Sequence, residues 1–118
     1  MARRKKPVRV LEKENDQPLI TFDAVVCYSS FPHFQDKPKA LNVINRALER
    51  GGELFICHTS SRNTINGIHR QIPEVEKDLI PEEDEMRQLL LTTGFSEISI
   101  WDGDDRYLAS AKKVQLVR

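Results

Sequence analysis

No apolar run in this 118-residue chain approaches the roughly 18–20 residues that a helix needs to cross a bilayer, so no membrane span is expected. A secretory leader is not expected either: Met1 to Lys6 is basic, but Pro7 to Asp16 places no apolar core behind it. Net charge is lacking, with 18 Lys+Arg against 18 Asp+Glu, which argues against a general polyanion binder. Cysteine is scarce. Cys27 and Cys57 both fall inside apolar, strand-like runs and read as reduced, buried thiols of a cytoplasmic protein. The apolar share, 39%, is below the usual globular value and the charged share, 31%, above it, so the core is expected to be thin. Glycine is missing where several chemistries would want it. Neither Ser29 nor Ser30 sits in the Gly-x-Ser-x-Gly elbow of serine hydrolases. Gly51-Gly52 lies at a helix exit, not in the strand-to-helix turn that cradles phosphates. His33, His58 and His69, even with Cys27, match no compact metal signature, and no metal is expected.

The length is that of one domain. Its charge is unevenly placed. The first six residues hold four cations, which read as a solvated terminus because no aromatic residue accompanies them; a nucleic-acid partner is therefore not expected. Between Glu74 and Arg87 stand seven acids against two bases, and a helix start accounts for much of that cluster.

Residues 1–21 read as a flexible basic segment, with Val8–Leu11 as a candidate short edge strand, and residues 22–118 as an α/β domain. Phe22 to Tyr28 is a nearly continuous apolar run, as expected of a strand covered on both faces. A helix follows, with Asp36 as cap, Pro38 in its first turn, Leu41, Ile44 and Leu48 on one face, and Gly51-Gly52 as its end. Glu53 to His58 is a second buried strand, which makes a parallel βαβ unit with a right-handed crossover. Ser60 or Ser61 caps a second helix with Ile65, Ile68 and Ile72 on its buried face, ended by Pro73. Pro81 opens a third, with Glu82 to Glu85 in its first turn, Met86, Leu89 and Leu90 inward, and Gly94 at its close. Phe95–Trp101 and Arg106–Lys113 alternate around Asp102–Asp105 as an antiparallel β-hairpin.

Open α/β sheets bind ligands beyond the carboxyl ends of their parallel strands. Two segments meet that condition, Tyr28–Phe34 and His58–Arg62, and they bring Ser29, Ser30, His33, His58, Thr59, Ser60 and Arg62 to one end of the sheet. Hydroxyls there also make turns and caps, a reading that applies equally to Ser60 and Ser61. His33 and His58 are the candidates for proton transfer, because imidazole titrates near neutral pH. Arg62, near a helix N-terminus, is suited to a single carboxylate or phosphate.

Phe22–Tyr28 followed by Phe31-Pro32-His33-Phe34 resembles the fourth strand and following loop of class I S-adenosylmethionine-dependent methyltransferases. Ala47–Leu54, with its Gly-Gly pair, is similar to that family's passage from helix into fifth strand. Leu90–Phe95 and the closing hairpin fit its final helix and last two strands, so the resemblance spans about residues 20–113. It implies the second half of a Rossmann-like methyltransferase sheet, without the segments that hold most of the methyl donor: no Gly-x-Gly precedes Phe22. It also implies that Tyr28, Ser29 and Ser30 border S-adenosylmethionine, that Thr59, Ser60 and Arg62 lie on the acceptor side, and that His33 or His58 serves as base. Two functions compete on this basis. In one, the chain is a methyltransferase whose site is completed by a second chain, in a homodimer or with a partner subunit. In the other, it is a non-catalytic interaction module derived from such an enzyme. Both favour association, because a sheet without its first half leaves Phe22–Tyr28 as an open edge beside apolar surface.

Overall fold

A computed structural model describes residues 2–3 and 21–114, and its centre is a parallel strand pair. In chain order the elements are β1 (Ala2–Arg3), β2 (Phe22–Tyr28), α1 (Lys37–Ala47), β3 (Leu48–His58), α2 (Arg62–Arg70), α3 (Glu83–Thr92), β4 (Phe95–Gly103) and β5 (Arg106–Lys113), with short 3-10 turns at Phe31–His33 and Pro73–Val75. The sheet order is β1-β2-β3-β5-β4; β2 and β3 run parallel and every other neighbouring pair is antiparallel. The βαβ unit and the closing hairpin therefore stand as expected.

Side chains alternate across a strand with period two, and here one parity is buried. Val25 pairs with Leu54 and Leu54 with Ala111; Cys27 pairs with Ile56 and Ile56 with Ala109; His58 pairs with Tyr107. All eight lie in the interior, joined by Leu41 from α1, Ile80 from the segment before α3, and Met86 and Leu90 from α3. On the opposite parity Val26, Phe55, Cys57 and Leu108 are half-buried, while Tyr28 and Trp101 are exposed at 52% and 60%. The apolar runs had suggested cover on both faces. Among the described residues the core lies on one face only. The two thiols fall on opposite faces, and Cys57 is half-buried where full burial was expected.

Two further expectations change. Asp36 caps α1 through its side chain, which accepts from the Lys39 amide at 3.0 Å, but the helix stops at Ala47 and not at the glycines. Leu48 is already extended, paired with Phe22, and its carbonyl accepts from Lys113 Nζ at 2.8 Å, so tertiary pairing overrides helix propensity here. Gly51 (φ 72°) then kinks β3, and the register jumps from Phe22–Leu48 to Ala24–Glu53. At Gly52 a Cβ would lie 2.9 Å from the Glu49 carbonyl oxygen and 3.3 Å from that of Asp23, so the close approach needs glycine. The open edge expected at Phe22–Tyr28 is occupied in part: Ala2 pairs with Val25 and Arg3 with Ala24. The candidate strand Val8–Leu11 lies outside the described residues.

α2 is held by its polar face. Ser61 caps it, accepting from the Thr64 amide at 3.2 Å. Ile65 is half-buried, but Ile68 and Ile72, expected inward, are 51% and 41% exposed. The buried residue is Asn66. Its Nδ2 donates to the Ile80 carbonyl at 3.0 Å and its Oδ1 accepts from the Ile80 amide at 2.8 Å. Arg62 Nε donates to the same carbonyl at 3.1 Å, and His69 Nδ1 hydrogen-bonds the Asp78 carbonyl. The stretch around Ile80 belongs to no helix or strand, so its buried backbone groups must find side-chain partners. Arg62, Asn66 and His69, at helical spacing on one face, supply them. α3 begins at Glu83 and not at Pro81, so Glu82 stands at its N-cap, and Glu83, Asp84 and Glu85 are the acids of its first turn.

Asn66→Ala should therefore cost about 1–3 kcal/mol by leaving the buried Ile80 amide without a partner. Ile68→Ala should stay within about 0.5 kcal/mol as an exposed substitution. Urea denaturation midpoints of the two variants check the order; a larger loss for Ile68→Ala would contradict the polar anchoring of α2.

Candidate functional site

The parallel register brings the exits of β2 and β3 together. Tyr28 is the last residue of β2, and Ser29, turned to φ 54°, extends the ladder by donating its amide to the Cys57 carbonyl at 2.9 Å. Ser30 leads into the 3-10 turn, its carbonyl accepting from the His33 amide at 3.0 Å. Phe31 and Pro32 are buried and anchor the turn, with Phe34 edge-on to Phe31 at 5.7 Å. Lys37 Nζ donates to the carbonyls of Pro32 and Phe34 at 3.1 and 3.2 Å, and burial lowers its pKa. This bracing holds His33 at the surface, with 42% of its side chain exposed.

His58 closes β3 from the other side of the same site. It is buried, its Nε2 meets no partner among the described residues, and its cross-strand neighbour Tyr107 has a hydroxyl in the same condition. The two rings meet edge-on at 6.1 Å. Burial, then the nearby His69 and His33, push the His58 pKa down to about 4. Burial, then Asp102, pushes Tyr107 up to about 12. Both groups are neutral at pH 7. Thr59 is exposed and Ser60 half-buried, while the capping role falls to Ser61. Arg62, expected near substrate, is engaged in the fold: its amide donates to Asp102 Oδ1 at 2.9 Å, Nε to Ile80, and its guanidinium lies 3.7 Å from Glu82.

Two residues join the site that sequence reasoning did not place there. Asp78 accepts from His33 Nδ1 through Oδ2 at 3.0 Å, and His69 stacks beside His33 with ring centroids 5.0 Å apart. In the sequence Asp78 is one member of an acidic cluster, and His69 enters only a metal set that matches no compact signature. Only the fold of residues 73–82 back over α2 brings them to His33. No cluster of His, Cys, Asp or Glu suited to a metal ion occurs among the described residues, and none of their helices is long and apolar enough to cross a membrane.

The family model of a methyltransferase domain matches residues 3–56, beginning well ahead of Phe22. The fold superposes on a Thermotoga maritima S-adenosylmethionine-dependent methyltransferase with TM-score 0.66 at 13% identity, over 92% of this chain and 60% of that one. The fold is methyltransferase-like. Phosphoethanolamine N-methyltransferase 2 of Haemonchus contortus, in complex with phosphomonomethylethanolamine and S-adenosylhomocysteine, gives 0.62 at 15% identity over 80% of this chain and 34% of that one. A complex of the Haloferax volcanii Trm112 methyltransferase activator with a methyltransferase gives 0.62 at 15% identity, over 88% and 58%. The domain spans between 34% and 60% of the length of these three structures. No curated protein matches the sequence.

S-adenosylmethionine needs a backbone that approaches it closely, the task glycine-rich turns perform after a strand. The domain's five glycines are at positions 51, 52, 67, 94 and 103, and none follows β2 or β3 at the carboxyl end. The residues at these exits do not by themselves fit the methyl donor.

The depressed pKa of His58 fixes a pH dependence. Below pH 6.5 the unfolded chain protonates this imidazole, whereas the folded one resists until about pH 4. Stability therefore falls as pH drops through that window, by an amount of order 3 kcal/mol once pH 4 is passed. Urea denaturation between pH 7 and pH 4 should show the loss, and His58→Gln should flatten it.

Proposed function

We propose that this domain forms the acceptor side of a methyl-transfer site whose donor side is completed by further polypeptide, from a second copy of the chain or from a partner subunit. The observation that carries the reading is the convergence of His33, His58, His69 and Asp78 beyond the carboxyl ends of the parallel strands, in a fold that lacks a glycine cradle there. Methylation of a hydroxyl, amine or thiol releases a proton, and a base must take it. His33 is the better base, exposed and backed by a carboxylate. His58, buried and held neutral to about pH 4, serves with Tyr107 as a hydrogen-bonding floor. Tyr28, Ser29 and Ser30 border the donor, and Thr59 and Ser60 face the acceptor. Arg62 contributes through the anchoring of α2 more than through direct contact.

The division into a 1–21 segment and a 22–118 domain belongs to the same proposal, with the pairing of Ala2 and Arg3 against β2 tying the segment to the sheet. The apolar parity left half-buried on the sheet, Val26, Phe55, Cys57 and Leu108 beside exposed Tyr28 and Trp101, supports association, and a cytoplasmic location suits the two free thiols. A second reading, a non-catalytic interaction module, is favoured by the missing cradle alone.

Calorimetric titration with S-adenosylhomocysteine separates the two. Micromolar binding is expected only from an associated form, with one ligand per two chains if two copies share a pocket. Sedimentation under the same conditions identifies that form. No binding at millimolar ligand by a stable monomer would remove the self-completed enzyme and leave the partner or the interaction module.

A further inference from the structure

We infer that Asp78 is a positioning residue that holds His33 and His69 in one tautomer, so that both rings present a basic Nε2 to the acceptor side of the site. The inference rests on the proposed reading only for what those nitrogens do; the tautomers themselves follow from hydrogen-bond chemistry. A carboxylate at neutral pH has no proton to give, so in its 3.0 Å contact with Asp78 Oδ2 the nitrogen that donates must be His33 Nδ1. The contact of His69 Nδ1 is with the Asp78 backbone carbonyl, which is likewise an acceptor only. Each neutral ring therefore carries its proton on Nδ1 and keeps the lone pair on Nε2, the reverse of the tautomer that free histidine side chains favour in water. Because Nδ1 and Nε2 lie on different edges of the ring, both Nε2 atoms point away from Asp78. The rings are 5.0 Å apart and tilted by 38°, so the two histidines stand side by side. Such a pair takes a group that donates a hydrogen bond, a hydroxyl or an amine, which is the kind of acceptor that must shed a proton on methylation.

One residue thus serves two histidines by different means: the side chain of Asp78 fixes His33 and its backbone fixes His69. The two can be separated by mutation. Asp78→Ala removes the carboxylate and leaves the backbone carbonyl in place. Asp78→Asn keeps an oxygen that can still accept from Nδ1.

The test is long-range proton–nitrogen correlation NMR on the nitrogen-15-labelled chain at about pH 9, where an ordinary imidazole is neutral. In the unmodified chain His33 and His69 should both show the Nδ1–H pattern. In Asp78→Ala, His33 should revert to Nε2–H while His69 stays as it was, and Asp78→Asn should keep both in the Nδ1–H form. An Nε2–H pattern for His33 in the unmodified chain, or an unchanged His33 in Asp78→Ala, would overturn the inference. So would loss of the His69 pattern in Asp78→Ala, since the carboxylate would then be holding the whole loop and not one ring. The measurement uses no methyl donor or acceptor. A wrong tautomer leaves the methyl-transfer reading standing, and a failed ligand titration leaves the tautomers standing.

Discussion

The placement of the candidate site follows from the parallel register between β2 and β3. Val25 against Leu54 and Cys27 against Ile56 put two apolar rows on one face and, at the same time, set Tyr28–His33 and His58–Arg62 at one end of the sheet. A parallel pair needs a crossover long enough to return the chain, and α1 supplies it. The Gly51-Gly52 passage lets β3 come in close beside Asp23, where a side chain would strike backbone. β5 then adds Ala109 and Ala111, residues small enough to leave room for the helices.

On that scaffold the site is assembled by polar contacts. Apolar burial fixes α1 and α3 through Leu41, Met86 and Leu90, but α2 and the segment after it are fastened by Asn66, Arg62 and His69 to the backbone of Asp78 and Ile80. Hydrogen bonds are directional where hydrophobic contact is not, so a loop fastened this way can hold Asp78 at a definite distance from His33. The fastening and the candidate site share residues: His69 anchors the loop and also stands beside His33.

The three histidines are not equivalent. Their environments divide them into a buried, neutral ring at His58 and a surface ring at His33 backed by a carboxylate. Burial without a partner suits a hydrogen-bonding surface, and exposure with an orienting acid suits proton transfer. The likeness to methyltransferases is one of fold, and none of the chain's five glycines stands at the exits of β2 and β3.

By itself the sequence determined the elements and their order. The apolar runs at Phe22–Tyr28 and Glu53–His58, the Asp36 cap, the acids opening α3 and the alternation of the hairpin are local signals, and local signals survive folding. It also determined which loops share an end, because parallel strands joined by one helix leave no alternative. Tertiary structure alone decided which face of α2 turns inward, where α1 stops, and that Asp78 and His69 belong to the site. Periodicity ranks residues by hydrophobicity, and so it chose Ile68 and Ile72 for burial. The unpaired backbone of Ile80 needed partners instead, and only a folded loop creates that need.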